Sequence, residues 1–399
     1  MTNLANQAVE AAVQTYLATM TPDQLAKSNS YFEGGYWLQL WNLVYGLAVA
    51  WLLMRTGWSV KMRQRAEKWT RFAFMRTWIY YIQYILLVSL LTFPLTGYQE
   101  YFREHQYELS NLTFGGWTLE QLKGLGIGLV LGGVFTGFIY WVIGRLRTTW
   151  WIWGTAVSTA FLVFTIMIAP VYLAPIFNKY TPLPDGEVRE AVLAMARANG
   201  VPADEVYLFD ASKQSKRVSA NVSGMFGTTR ISLNDNLLNR ASLAEIRDVM
   251  GHELGHYVLH HVQKTVLEFA LVLLLGFYFL YFSMNWYVRK YGQAHGIKSV
   301  ADTAGLPVMV MLMGIFMTLM TPVTNTITRV SEVEADQFGL NLAREPDGFA
   351  KVAVKLSEYR KMSPGYWEEI IFYDHPSGEN RIRMAMTWKE ESLKLVPKD

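Results

Sequence analysis

The sequence predicts a mainly α-helical, polytopic membrane protein of about six spans, with a small β-containing globular unit set between them. Three observations predict it. Hydrophobic residues make up 51% of the 399 and charged residues only 17%, a balance unlike that of ordinary soluble domains. Six apolar segments have the length of about 20 residues that crosses a bilayer: Tyr36–Met54, Thr77–Gly97, Leu125–Gly144, Trp150–Phe177, Thr265–Tyr287 and Gly305–Thr321. Between the fourth and fifth lies a stretch of mixed polar and apolar pattern. One apolar run can be a buried helix of a large soluble protein; six in one chain cannot. Trp37, Trp78, Trp150 and Trp286, near span ends, fit interfacial belts.

In chain order, residues 1–32 form a polar N-terminal segment without the basic start and short apolar core of a cleavable signal, so the first span directs insertion. Residues 33–177 hold four spans. The loop after the first carries Arg55, Lys61, Arg63, Arg65, Lys68, Arg71 and Arg76 against Glu67 alone, which places that loop in the cytoplasm. Segments from Asn178 to Lys264 and after Val323 then face the opposite side. The glycines Gly124, Gly126, Gly128, Gly132 and Gly133 allow close helix packing in lipid. Residues 178–264 predict a helix over Glu187–Asn199 and strands at Val206–Asp210, Ser219–Ser223 and Arg230–Asn234. The last two read as a hairpin turned by Gly224, Gly227 and Thr228. A capping-box pair, Ser242 and Glu245, opens a further helix whose apolar positions Ile246, Val249, Met250 and Leu254 recur at helical spacing. Residues 265–324 form a two-span hairpin, and residues 325–399 a polar C-terminal segment.

That last helix carries His252-Glu253-Leu254-Gly255-His256. Its two His lie one turn apart on one face, so both imidazoles reach a single ion, with Glu253 beside them as a base. A catalytic zinc site takes three protein ligands and keeps a position for water, whose pKa falls from about 15.7 to roughly 7. For the third ligand His260 and His261 fit poorly, since one helix cannot bend four ligands around a point; both read as surface or supporting groups. Glu332, in the polar stretch Arg329–Gly339, is the better candidate. Asp336, one turn on, can accept a hydrogen bond from a liganding His and orient its ring. Glu334 reads as a solvated charge. Asn221 lies on a strand suited to binding extended substrate, or is simply a turn residue. The absence of cysteine excludes disulfides, thiolate ligands and a Cys nucleophile, and a net charge of +3 gives no basis for nucleic-acid binding.

Phe177-Asn178-Lys179-Tyr180-Thr181-Pro182-Leu183, Ser212-Lys213 with Ser219-Ala220-Asn221, the His252–His256 run, Glu332 with Asp336, and Asp374-His375-Pro376 followed by Arg381 together resemble the type I CaaX prenyl endopeptidases, which are integral-membrane zinc metallopeptidases of the gluzincin type. The resemblance spans about Ile176 to Met384. It implies a barrel of membrane helices around a chamber, with the metal site at one end and one Zn2+ per chain. It assigns His252, His256 and Glu332 as ligands, Glu253 as general base, Asp336 as support, His375 as a catalytic group, and Asn221 and Arg381 as substrate-binding groups. Peptide or protein substrates, prenylated or not, and membrane lipid are the expected partners, with no nucleic acid. Eukaryotic members have seven spans, one more than predicted here. The short, cysteine-free chain reads as bacterial, which places it in the inner membrane; a eukaryotic chain would lie in the endoplasmic reticulum. Two rival readings keep the same site: a quality-control protease for misfolded membrane proteins, and a zinc-binding scaffold without hydrolysis.

Overall fold

In the computed structural model, which describes residues 2–224 and 229–395, the membrane half comes first. Helix α1 (Thr2–Leu17) precedes α2 (Pro22–Arg55), which opens with a capping box: the Gln24 N–H donates to Thr21 and the Thr21 N–H to the Gln24 side chain. Helix α3 (Trp58–Trp69) is short. Helix α4 (Ala73–Gly97) continues through a π-turn (Tyr98–Phe102) into α5 (Arg103–Gln106), and α6 (Phe114–Arg145) follows. Helix α7 (Trp150–Ile168) likewise passes through a π-turn (Ala169–Leu173) into α8 (Ala174–Phe177).

The globular unit then begins with β1 (Tyr180–Pro182), α9 (Glu187–Ala198), β2 (Val206–Phe209), β3 (Ala220–Ser223), β4 (Arg230–Asn234), α10 (Asp235–Arg240) and α11 (Leu243–Val258). Two long helices, α12 (His261–Tyr291) and α13 (Leu306–Ala343), lead to α14 (Pro346–Leu356), α15 (Tyr366–Phe372) and α16 (Gly378–Leu395).

Helices α2, α4, α6, α7, α12 and α13 each pack on the next, and α13 returns to α2, so the six spans close into a barrel. Trp51, Leu90, Leu267, Leu271 and Leu319 stay exposed on them, as lipid-facing residues do. A cavity of about 610 Å³ opens between α2, α4 and α13, lined by Tyr84, Met311, Met317 and Asn325 among others. The glycine stripe of α6 does only part of what its sequence suggests. A Cβ on Gly133 would lie 2.2 Å from the Trp78 indole, whereas one on Gly124, Gly126 or Gly128 would meet nothing within 4 Å.

The sheet is mixed, in the order β1-β2-β4-β3. Strands β3 and β4 form the predicted antiparallel pair, with Asn221 opposite Ser232, and β3 is an edge. Gly224 takes a φ of 100° at the strand end, while Gly227 and Thr228 lie outside the described residues. The three-residue β1 is too short for any sequence pattern. Val192 and Ala196 of α9, Val206, Ile231 and Leu233 of the sheet, and Ile246, Met250 and Leu254 of α11 make the core. That core fixes α11 on the sheet.

Two departures from the sequence reading matter for the site. The polar N-terminal segment is a helix that joins the C-terminal elements: Val13 and Met20 are buried with Phe349, Ile382 and Ala385. Its polar average hid a helical stripe of Val9, Val13 and Leu17. Helix α2 runs unbroken through position 33, and its early turns bind the loop after α14 and α15, Ser28 donating to the Arg360 carbonyl and Tyr36 to Glu368. Second, α13 is one 38-residue helix, unbroken at 324–325, so the sixth span and the segment bearing Glu332 and Asp336 are a single rod.

Candidate metal centre

The centre is the crossing of α11 and α13. Ser242 and Glu245 form the predicted capping box at the start of α11, and Glu245 also pairs with Lys355 of α14 at 2.6 Å, which anchors that end. The crossing is close because both helices present glycine. A Cβ on Gly339 would fall 2.8 Å from the backbone nitrogen of His252, and one on Gly251 would fall 3.1 Å from Gly339. Backbone on backbone brings the side chains of both helices to one point.

There, His252 Nε2 and His256 Nε2 lie 3.0 Å apart, and Glu332 reaches them at 3.2 Å and 3.5 Å. The remaining atoms of the two rings are committed elsewhere. His252 Nδ1 donates to Asp336 Oδ1 at 2.7 Å, a carboxylate that has no exposed surface. His256 Nδ1 lies 2.9 Å from His261 Nδ1, and His261 Nε2 lies 3.1 Å from Glu334. Glu334 can only accept, so His261 Nε2 carries a proton, its Nδ1 is bare, and the His256 Nδ1–H donates to it. Each ring therefore commits its Nδ1 proton outward and turns Nε2 inward, where a metal can replace any proton on it. Two such nitrogens and a buried carboxylate oxygen of Glu332 that has no hydrogen-bond partner form a donor set that suits zinc.

The electrostatics point the same way. Burial, and then the neighbouring His252, hold His256 down at about 4, so it is neutral at working pH, as a metal ligand must be. Burial pulls His252 down too, but the Asp336 carboxylate bonded to its Nδ1 and the Glu332 carboxylate facing its Nε2 outweigh that and lift it to about 10. The pocket thus asks for positive charge, which a metal supplies on displacing the proton. Burial pushes Glu253 up to about 7, against the pull of His252 and with the help of Glu332. A carboxyl so placed can take and return a proton near neutrality.

Around this core, a cavity of about 150 Å³ is lined by Ser219, Ala220, Asp248, Glu253, His375 and Arg381 among others. His375 comes from the turn before α16, its Nε2 3.2 Å from Glu332 and its Nδ1 donating to Asp374 at 2.8 Å. Asn221 sits on β3, which packs on α11. Arg381 reaches the centre, but its Nε and Nη2 grip both Asp336 oxygens, at 2.9 Å and 2.5 Å. As placed, it holds Asp336 still. Of the two roles the sequence leaves to His261, surface or supporting, the structure shows the supporting one, though a helix continuing past His256 gives no sign of its bond to that ring. In fact the chain turns at His260, which is left-handed at φ 55°, and swings His261 back onto His256. Glu334, read as a solvated charge, accepts from His261 and from Lys264.

Known proteins match the chain along nearly its whole length. Residues 182–389 match the model of peptidase family M48, and residues 3–179 match a model described as the CAAX prenyl protease N-terminal region with five membrane helices. The chain is 28% identical to the uncharacterized metalloprotease YhfN of Bacillus subtilis, over 97% of this chain and 90% of that one. It is 26% identical to CAAX prenyl protease 1 of Saccharomyces cerevisiae, over 77% of this chain and 71% of that one. The fold is that of the crystal structure of Ste24p from S. mikatae, with a TM-score of 0.79, 20% identity and coverage of 96% and 95% of the two chains.

Proposed function

Because the chain belongs to peptidase family M48 and is an integral-membrane metalloprotease of the CAAX prenyl protease type, we propose that it is a zinc-dependent endopeptidase, with one zinc per chain, that removes the C-terminal tripeptide of prenylated proteins. The observation that carries the proposal is the convergence of His252 Nε2, His256 Nε2 and Glu332 on one point beside Glu253. Zinc held there would polarise the scissile carbonyl and acidify a water. Glu253 takes the proton of that water and delivers it to the leaving amine, a role for which its value of about 7 suits it. His375, held by Asp374, lines the same pocket and donates to the oxyanion. The edge of β3 at Asn221 binds the substrate backbone by strand addition. Arg381 fixes Asp336, and through it the ring of His252, and borders the cavity in which substrate would lie. The proposed setting is a bacterial inner membrane, with the peptidase unit on the side opposite the basic first loop.

The test is hydrolysis of a farnesylated CaaX peptide by the detergent-purified protein, beside its unprenylated form and an unfolded membrane protein. Cleavage of the farnesylated peptide, lost in Glu253→Ala and after zinc chelation, is the expected result. Cleavage of the unfolded protein alone would replace the substrate assignment, and cleavage by Glu253→Ala would overturn the role of the base.

A further inference from the structure

The end of the barrel far from the metal centre holds a second cavity, of about 310 Å³, between α3, the start of α4, the end of α6 and the loop before α13. Along α13, Glu332 stands on the order of 40 Å from this loop at 1.5 Å per residue, so the cavity has no part in the chemistry. Three cations, Arg63, Arg76 and Lys298, line it, outnumbering the carboxylates of Glu67 and Asp302. Arg63 is 8% exposed and bonded through Nη1 to Asp302 and the Gly296 carbonyl, yet its buried Nε makes no hydrogen bond, and the Glu67 carboxylate lies 3.8 Å away. Asp302 is itself satisfied, since it also accepts from the backbone of Lys298 and Ala304. Neither Arg76 nor Lys298 has an ion-pair partner among the described residues. The cavity therefore keeps donors that nothing in the protein uses.

Its depth identifies what would use them. Trp69 and Phe72 stand 72% and 76% exposed beside it, as aromatic residues do at a membrane interface. On the α4–α6 side the cavity turns apolar, with Phe74 and the exposed Trp141 on its wall. Cations at headgroup depth above an aromatic wall match a molecule with an anionic phosphate head and acyl chains. We infer that this cavity is a binding site for one anionic phospholipid, whose phosphate accepts from Arg63, Arg76 and Lys298 while its chains lie along α4 and α6.

Native mass spectrometry of the full chain, titrated with phosphatidylglycerol or with phosphatidylcholine of the same acyl chains, tests this. One phosphatidylglycerol should bind in preference, and the pair Arg76→Gln with Lys298→Gln should weaken it roughly tenfold or more, because each cation near an anionic lipid contributes on the order of a fewfold in affinity. Arg289→Gln with Lys290→Gln, at the end of α12 and outside the cavity, should bind as the parent does. Equal binding of the two lipids would overturn the site, as would equal losses in the two double variants, which would mean diffuse surface charge. Displacement of phosphatidylglycerol by millimolar inorganic phosphate would make it a free-anion site and overturn the lipid. Unchanged melting of the Arg76 and Lys298 variant confirms that a loss is local.

Discussion

Replacing Gly339 with alanine should disable the proposed metal centre without touching any residue of its proposed ligand set. The added Cβ would sit 2.8 Å from the His252 nitrogen and 3.2 Å from the Gly251 carbonyl carbon, where ordinary contact begins at 3.4 Å. The helices must separate by about 0.6 Å, and backbone cannot yield as a side-chain tip can. Ligand distances tolerate about 0.2 Å, so Glu332 and the two imidazoles can no longer share one ion. Overpacking of this kind costs about 1–3 kcal/mol, too little to unfold the barrel. The expected outcome is zinc affinity reduced at least tenfold, in line with the roughly 10–100-fold effects of displaced supporting groups. Competition against a chelator of known affinity measures it, with peptide cleavage alongside and circular dichroism confirming helix content. Gly314→Ala is the control, the same change on the same helix where a Cβ would meet nothing within 4 Å. Zinc affinity within twofold of the parent in a folded Gly339→Ala protein would refute the idea that this close crossing sets the coordination.

Other variants probe the surroundings. Asp336→Asn, which leaves His252 without its carboxylate and Arg381 without its counter-charge, should lower zinc affinity about 10–100-fold by the same competition assay. His261→Ala frees the His256 ring and should lower zinc affinity by less, while Glu253 variants keep it; equal affinity to the parent would sink the relay. Glu253→Gln should reduce turnover by about 10²–10⁴ with zinc retained, as measured by metal content and initial rates. Asp248→Asn should raise thermal stability. Burial lifts this carboxyl from an ordinary 3.8 to about 8, so below pH 4 it is neutral in both states and its contribution is intact. As pH rises toward 8 the unfolded chain ionises and the folded one does not, and stability drains away. The gain from asparagine should therefore be larger at pH 7 than at pH 4, and melting at the two values checks it.

Much of this was legible in the residues because the periods were long and the motif local. Six spans, the capped helix of the His pair and the β3–β4 hairpin each rest on patterns contained within a few turns or strands. Glu332 was legible by elimination and Asp336 by its spacing from it. The bond from His256 to His261, a residue read only as a surface or supporting group, was not, because it depends on the reversal at His260, and one residue in the left-handed region leaves no periodic trace. Nor was the helical fate of residues 1–32, where a stripe of three apolar residues is diluted by polar neighbours. The continuity of α13 was also hidden: hydropathy stops where the lipid stops, and the hydrogen-bonded backbone does not.

That continuity makes the coordination sphere a gauge of the bilayer. Pro322 interrupts the backbone hydrogen bonding of α13 between the lipid-facing turns and Glu332, the place where such a rod bends. Glu332 lies about 15 Å beyond it at 1.5 Å per residue, so a change in bend of about 5° swings the carboxylate through about 1.3 Å. His252 and His256 stand on α11, which is clamped to α13 about two turns past Glu332, at Gly339, and shares its core with Ala343, so a retilted span loads the turns between Pro322 and that clamp, where Glu332 lies. A membrane whose thickness retilts the sixth span thus shears one ligand against the other two, and hydrolysis is expected to respond to acyl-chain length even for a substrate that is not a lipid.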